Sequence, residues 1–166
     1  GLDPNQPPVT REQFLDYGKK PTRGDRYGSG IIGARQEGLF MRFNPWPWGA
    51  GGEYLTPDEK RSALDNPEFL EGFTFYVELF TKHKVVPPGV IEQGAQEVRT
   101  QLAHGKVAMI IDATNFFTRI EDPAKSRIAG KIGYAMVPKG PAGTFPGIYA
   151  LGFGVSYGAK TEQQRA

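Results

Sequence analysis

Two short polar clusters follow apolar runs in this sequence. Arg35-Gln36-Glu37 comes after Ile31-Ile32-Gly33-Ala34, and Asp112-Ala113-Thr114 comes after Val107-Ala108-Met109-Ile110-Ile111. Guanidinium, amide, carboxylate and hydroxyl groups of this kind hold polar ligands through charge-assisted hydrogen bonds. Asp112 and Thr114 stand just ahead of Asn115-Phe116-Phe117-Thr118-Arg119-Ile120, which reads as a helix start. A polar cluster where a central strand ends beside a helix amino terminus is where open α/β sheets bind ligands. Either residue can equally be a plain helix cap. A third candidate is Phe43-Asn44-Pro45-Trp46-Pro47-Trp48, which holds both tryptophans. It reads either as an aromatic platform for a flat apolar ligand face or as a buried turn plugging the core.

Catalytic patterns are weaker. Gly154-Val155-Ser156-Tyr157-Gly158 spells the nucleophile-elbow pattern, but that hydrolase class places its acid and histidine after the serine. No histidine follows Ser156; His83 and His104 both precede it, at expected helix ends where positive charge is favourable. A serine hydrolase using Ser156 is therefore only an alternative. Gly28-Ser29-Gly30-Ile31-Ile32-Gly33 matches the dinucleotide fingerprint, which needs a hydrophobic strand before it and a helix starting inside it. Arg23-Gly24-Asp25-Arg26-Tyr27 precedes it instead, so the nucleotide reading is rejected. Two histidines without cysteine give no metal-ligand spacing. Glu53, Asp58, Glu59 and Glu68 fall among turn and cap residues, so no carboxylate pair for glycoside hydrolysis follows. Neither an enzyme activity nor a cofactor or metal is expected.

The elements that must position the polar clusters are legible by local rules. Thr10-Arg11-Glu12-Gln13 is a capping box with Val9 and Phe14 as its hydrophobic staple, opening a short helix to about Gly18. Residues 29–34 read as a strand. Residues 39–43 read as helical, with Pro45 and Pro47 breaking or kinking anything beyond Asn44. Gly49 to Gly52 reads as a tight turn. Asn66-Pro67 opens a helix through about His83, with Phe69, Leu70, Phe73, Tyr76, Val77 and Phe80 at helical spacing. Ala95, Val98 and Leu102 mark a shorter helix that stops at His104-Gly105. The unalternating run 107–111 fits a strand buried on both faces, as in a parallel sheet covered by helices. Asp122-Pro123 ends the following helix. Residues 132–137 and 148–155 read as two further strands.

Composition is globular: 166 residues, 39% hydrophobic and 12% aromatic, enough for one domain or a large part of a two-domain protein. A net charge of +2 from scattered Lys and Arg argues against a nucleic-acid surface. No run approaches the roughly 20 apolar residues of a membrane span. Cysteine is absent, which removes disulfides and thiolate chemistry. The opening Gly1-Leu2-Asp3-Pro4 does not read as a signal peptide, and the sequence reads as a piece cut from a longer protein.

Taken as a series, several segments resemble the family 1 extracellular solute-binding proteins, the maltose-binding-protein-like substrate receptors of carbohydrate ABC importers. They are GLDPNQPPVTREQFLDYGKK, Gly33-Ala34-Arg35, the Gly51-Gly52 turn, Asn66-Pro67-Glu68, GKVAMIIDAT, EDPAKSRIAGKIGYAMVPKGPAG and GIYALGFGVS. The resemblance covers nearly the whole chain in order. It implies an α/β, type II periplasmic-binding-protein-like lobe, mostly the carboxyl-terminal lobe, with helices in three layers around a mixed sheet. Residues 1–146 would belong to that lobe, and 147–166 would cross back towards the amino-terminal lobe. The implied function is capture of a small sugar, oligosaccharide or sugar alcohol by hinge closure, without catalysis. The implied partner is a membrane permease, the implied state a monomer, and the implied location periplasmic or extracellular, with a lipid anchor left open. A receptor for a peptide, polyamine or metal chelate is the second alternative. Carried over residue by residue, the ligand positions are Arg35, Gln36, Glu37, Asp112, Ala113, Thr114 and Tyr149, and the expected ligand-binding set adds Phe40, Trp46, Asn115 and Phe116. Many relatives place an aromatic where Asn115 stands, so Phe116 or the Trp46 region would have to stack on the ligand instead.

Overall fold

β1 (Tyr27–Gly30) and β2 (Val107–Ile110) lie side by side in parallel, Tyr27 opposite Val107 and Gly30 opposite Ile110. Strands so far apart in sequence can run parallel only through a crossover, and the helices between them provide it. The structure is a computed structural model and describes residues 3, 5–148, 154 and 158. Among these residues the two parallel strands are the contribution to the expected mixed sheet. β1 begins and ends earlier than the expected 29–34. The N–H groups of Gly33 and Ala34 donate to the Gln93 carbonyl (3.2 and 3.1 Å), which peels the chain off β2 after Gly30. Ile31 and Ile32 then enter the core.

α1 (Arg11–Lys19) starts as expected at Thr10, whose Oγ1 accepts from Gln13 N at 3.2 Å. The box is offset by one residue, since Gln13 Oε1 accepts from Val9 N (2.7 Å) rather than from Thr10. Val9 stays 57% exposed, so the staple does not form. Arg11 is buried, with Nη2 2.5 Å from Glu71 Oε1 and its guanidinium over the Phe75 ring, and this clamps α1 to α4 (Pro67–Thr81).

α2 (Glu37–Phe43) is followed at once by α3 (Pro45–Ala50), where the two prolines were expected to break any helix. Asn44 has helical φ and ψ, and Trp48 N donates to Asn44 O at 3.1 Å. Pro45 and Pro47 both fall in the first turn, where backbone N–H groups have no intrahelical acceptor to lose. Gly51 closes α3 at φ 96°, a conformation costly for any residue with a Cβ.

Asn66 Oδ1 caps α4 by accepting from Phe69 N (2.6 Å), with Pro67 at the first helical position. Asn66→Ala is expected to lower stability by about 1 kcal/mol in urea unfolding. Phe69, Tyr76 and Leu79 face inward, while Leu70, Phe73 and Val77 remain 37–47% exposed, so only part of the expected apolar stripe is core. Gly72 lets α4 touch α3, because a Cβ there would lie 2.4 Å from Pro47 Cα. The main core joins Phe14, Ile31, Trp46, Tyr76, Leu79 and Val85.

α5 (Ala95–Ala103) stops at His104 and Gly105 as expected. β2 is less enclosed than its sequence suggests: Val107 is buried, Met109 and Ile110 are half-buried and Ala108 is exposed. Residues 132–137, expected to be a strand, have no ladder partner among the described residues. A cavity of about 460 Å³ lies between them and β2. Their continuation is drawn instead to the start of α1, where Lys139 N donates to Val9 O (2.8 Å) and Arg11 N to Lys139 O (3.2 Å). The strand expected over 148–155, but for Ile148 and Gly154, lies outside the described residues, as does Ser156.

Candidate functional site

Beyond β2 the chain turns through Asp112 and Ala113 into a 3-10 turn, Thr114–Phe116, and then α6 (Phe117–Ile120). Neither Asp112 nor Thr114 caps this helix. The Asp112 carboxylate instead receives two arginines. Arg99 of α5 donates from Nε to Oδ2 (2.6 Å) and from Nη2 to Oδ1 (3.1 Å), and Arg42 of α2 donates from Nη2 to Oδ1. Ala113 N adds a further bond to Oδ1 at 2.8 Å. The three side chains are nearly enclosed, 9% exposed for Asp112, 12% for Arg42 and 10% for Arg99. Burial alone would push the Asp112 carboxyl up. The hydrogen bonds from Arg99, Arg42 and Ala113 outweigh burial and hold it below the usual aspartate value.

Arg99 has a second contact: its guanidinium carbon lies over the Phe116 ring, 3.1 Å from the centroid. Phe117 and Tyr134 pack against each other with tilted rings, centroids 4.4 Å apart, 38% and 48% exposed. Tyr134 donates to Glu121 Oε1 (2.6 Å), and Gly130 N donates to Glu121 Oε2 (2.7 Å). Asp112, Thr114, Phe117 and Tyr134 all line the 460 Å³ cavity. Carboxylate, hydroxyl and aromatic faces thus meet at the edge of one concavity. That combination can take the hydroxyls and the apolar C–H face of a polyhydroxy ligand.

Arg42 of α2, the helix that begins at Glu37 directly after Arg35 and Gln36, pairs with Asp112, but Arg35, Gln36 and Phe40 themselves do not line the cavity beside Asp112. Arg35 and Gln36 are exposed, and the Gln36 amide lies close against Gly94. Phe40 is 49% exposed with its ring 5.2 Å from Tyr54. Thr114 and Asn115 are exposed and Phe116 is half-buried. Trp46 corrects the aromatic-platform expectation. It is 1% exposed, wedged between Phe14 (5.2 Å) and Phe75 (4.9 Å), and its ring has no face to offer a ligand. Tyr149 lies outside the described residues, as does the side chain of Glu37.

Residues 1–166, the entire sequence, match the family described as bacterial extracellular solute-binding protein. The chain belongs to this family. Its fold is that of the type II periplasmic binding proteins. Among solved structures it is similar to maltose-bound MalE3 of T. maritima, with 29% identity and a TM-score of 0.76 over 84% of this chain and 35% of that one. It is likewise similar to a Thermotoga lettingae ABC-transporter solute-binding protein bound to α-D-tagatose. There the identity is 33% and the TM-score 0.71, over 83% of this chain and 36% of the other. A ribitol complex from Agrobacterium radiobacter K84 gives 28% and 0.75, over 85% and 35%. The chain therefore spans about a third of the length of these relatives. Comparison with curated proteins gave no match.

Within this solute-binding protein, the residues that sequence reasoning missed are Arg42, Arg99, Phe117 and Tyr134. A usable signal existed for the arginines. Neither has an acidic residue three or four positions away on its own helix, so each needs a partner from elsewhere if buried. Among the described residues no cluster of three or more acidic or histidine side chains could hold a metal ion. No helix there is long and apolar enough to cross a membrane.

Proposed function

We propose that this chain is part of the substrate-binding component of an ABC importer and captures a small sugar or sugar alcohol without chemical change. The observation that carries the reading is Asp112: a carboxylate held ionised at the end of a parallel strand, on the wall of a concavity, with Thr114 and exposed aromatic rings beside it. The sugars and polyols bound by the solved relatives, α-D-tagatose and ribitol among them, support the same ligand class. Residues 1–146 form most of the carboxyl-terminal lobe in this account, and 147–166 lead back to the other. Asp112 and Thr114 accept and donate hydroxyl hydrogen bonds. Phe116 and the Phe117–Tyr134 pair supply apolar faces, and Arg35, Gln36, Glu37, Phe40, Asn115 and Tyr149 are further candidate contacts. Affinity comes from hinge closure against the remaining two-thirds of the protein, so this chain by itself binds weakly. The closed form then docks, as a monomer, on a membrane permease from the periplasmic or extracellular side, free or lipid-anchored.

Titration calorimetry of the full-length protein with maltose, α-D-tagatose, ribitol and D-mannitol tests the reading. Binding to at least one is expected, and heats indistinguishable from dilution for all four would overturn it. At a free ligand concentration 100 times its dissociation constant, the bound sugar should add about 2.7 kcal/mol to unfolding stability.

A further inference from the structure

Asp112 Oδ1 already accepts from Arg42, Arg99 and Ala113, whereas Oδ2 accepts only the Arg99 Nε–H among the described residues. A carboxylate has about four lone-pair sites over its two oxygens, so the remaining acceptor capacity lies on Oδ2. The donor that fixes Oδ2 belongs to the same guanidinium that lies against Phe116. We infer that Arg99 is a positioning residue for ligand capture: one planar group sets both the direction of the free Oδ2 lone pair and the tilt of the Phe116 ring. The ligand class this arrangement selects is a neutral polyhydroxy compound that donates one hydroxyl to Oδ2 while laying a C–H face on the aromatic side.

The chemistry requires arginine at this position. A guanidinium forks onto a carboxylate edge and offers a flat face to a ring at the same time, and an ammonium does neither. The sequence places Arg99 beside Val98 on the inward side of α5, with Val98, Arg99 and Leu102 all buried. Backing from the helix body is what keeps the guanidinium from swinging out to solvent. Arg119, on α6, donates from Nη1 to Gln96 Oε1 on α5 at 3.2 Å, which ties the segment carrying Phe116 to the same helix.

This inference rests on the carbohydrate reading, and the experiment separates the two. In full-length protein, Arg99→Lys and Arg99→Met are titrated with the same four sugars beside wild type and Asn66→Ala, a cap variant in another part of the fold. Loss of charged hydrogen bonds of this kind corresponds to roughly tenfold weaker binding or more. Both Arg99 variants should show that loss, with lysine failing to rescue, while Asn66→Ala binds as wild type. Acidification adds a second readout. On acidification the affinity of Arg99→Met should begin to fall at a higher pH than that of wild type, because the carboxyl loses its main counter-donor. Unchanged affinity in both Arg99 variants, or full rescue by lysine, would overturn the inference. If wild type binds none of the sugars, the carbohydrate reading fails and a ligand-free measurement still decides the role of Arg99. Carbon-13 titration of the Asp112 carboxyl should then move to higher pH in Arg99→Met with altered Phe116 ring resonances, and no change in either would overturn it.

Discussion

Replacing Asp112 with alanine should cost the full-length protein about 3–5 kcal/mol of unfolding free energy and remove measurable sugar binding. The large effect comes from what remains after the carboxylate is gone. Arg42 and Arg99, each roughly nine-tenths enclosed, would face one another with no counter-charge between them. An uncompensated charge of that kind costs far more than the net worth of the intact pair. The variant also removes the polar ties from α2 and α5 to the end of β2, leaving α5 held to the strand by packing such as Leu102 against Val107. Urea unfolding is the measurement, and a loss below about 1 kcal/mol, the scale of an exposed ion pair, would contradict the enclosure described here. The pH dependence has a definite sign. The folded carboxyl protonates below the ordinary value of 3.8, so its contribution to stability is fully present above that value. It is lost as the pH falls from 3.8 through the folded value. Asp112→Ala should therefore show a shallower decline of stability than wild type below pH 3.8.

The second large effect is expected at Trp46. Its indole is 1% exposed and lies between Phe14 and Phe75, in the cluster that joins α1, α3 and α4. Trp46→Ala removes most of that contact and leaves a cavity that a close-packed interior refills only in part, a cost of about 3–5 kcal/mol. Trp46→Phe should cost much less. It keeps an aromatic ring between the same neighbours and removes an Nε1–H that has no hydrogen-bond partner among the described residues. Sugar affinity of the folded fraction should be unchanged in Trp46→Phe. A selective loss of affinity there, with stability intact, would return Trp46 to the ligand site.

What could be read from the sequence was whatever a few neighbouring residues decide. Asn66-Pro67 opened a helix and His104-Gly105 closed one because caps are local. The run 107–110 was legible as a strand of a parallel sheet because it is short, apolar and without alternation. The misses have a common origin in groups far apart in the chain. β1 was shifted by a carbonyl at Gln93, and residues 132–137 lack a ladder among the described residues although their pattern is strand-like. A strand is completed only by a neighbour, which its own sequence does not supply. The Asn44 to Trp48 stretch failed for a different reason. Proline breaks a helix interior but suits its first turn, and the pattern alone did not say that a new helix began at Pro45. At the site, Asp112 was visible as a polar residue ending an apolar run. Its two arginine partners were not, because they arrive from helices 70 and 13 residues away in sequence.

The central claim, that ligand is held at the strand ends around Asp112, is tested most directly by hydrogen–deuterium exchange of the full-length protein with and without a bound sugar from the calorimetric panel. Saturating ligand should slow exchange in peptides covering residues 112–117 and 33–40, with the peptide around Asn66 unaffected. Binding that leaves residues 112–117 exchanging at the free rate, with protection confined to other segments, would contradict it.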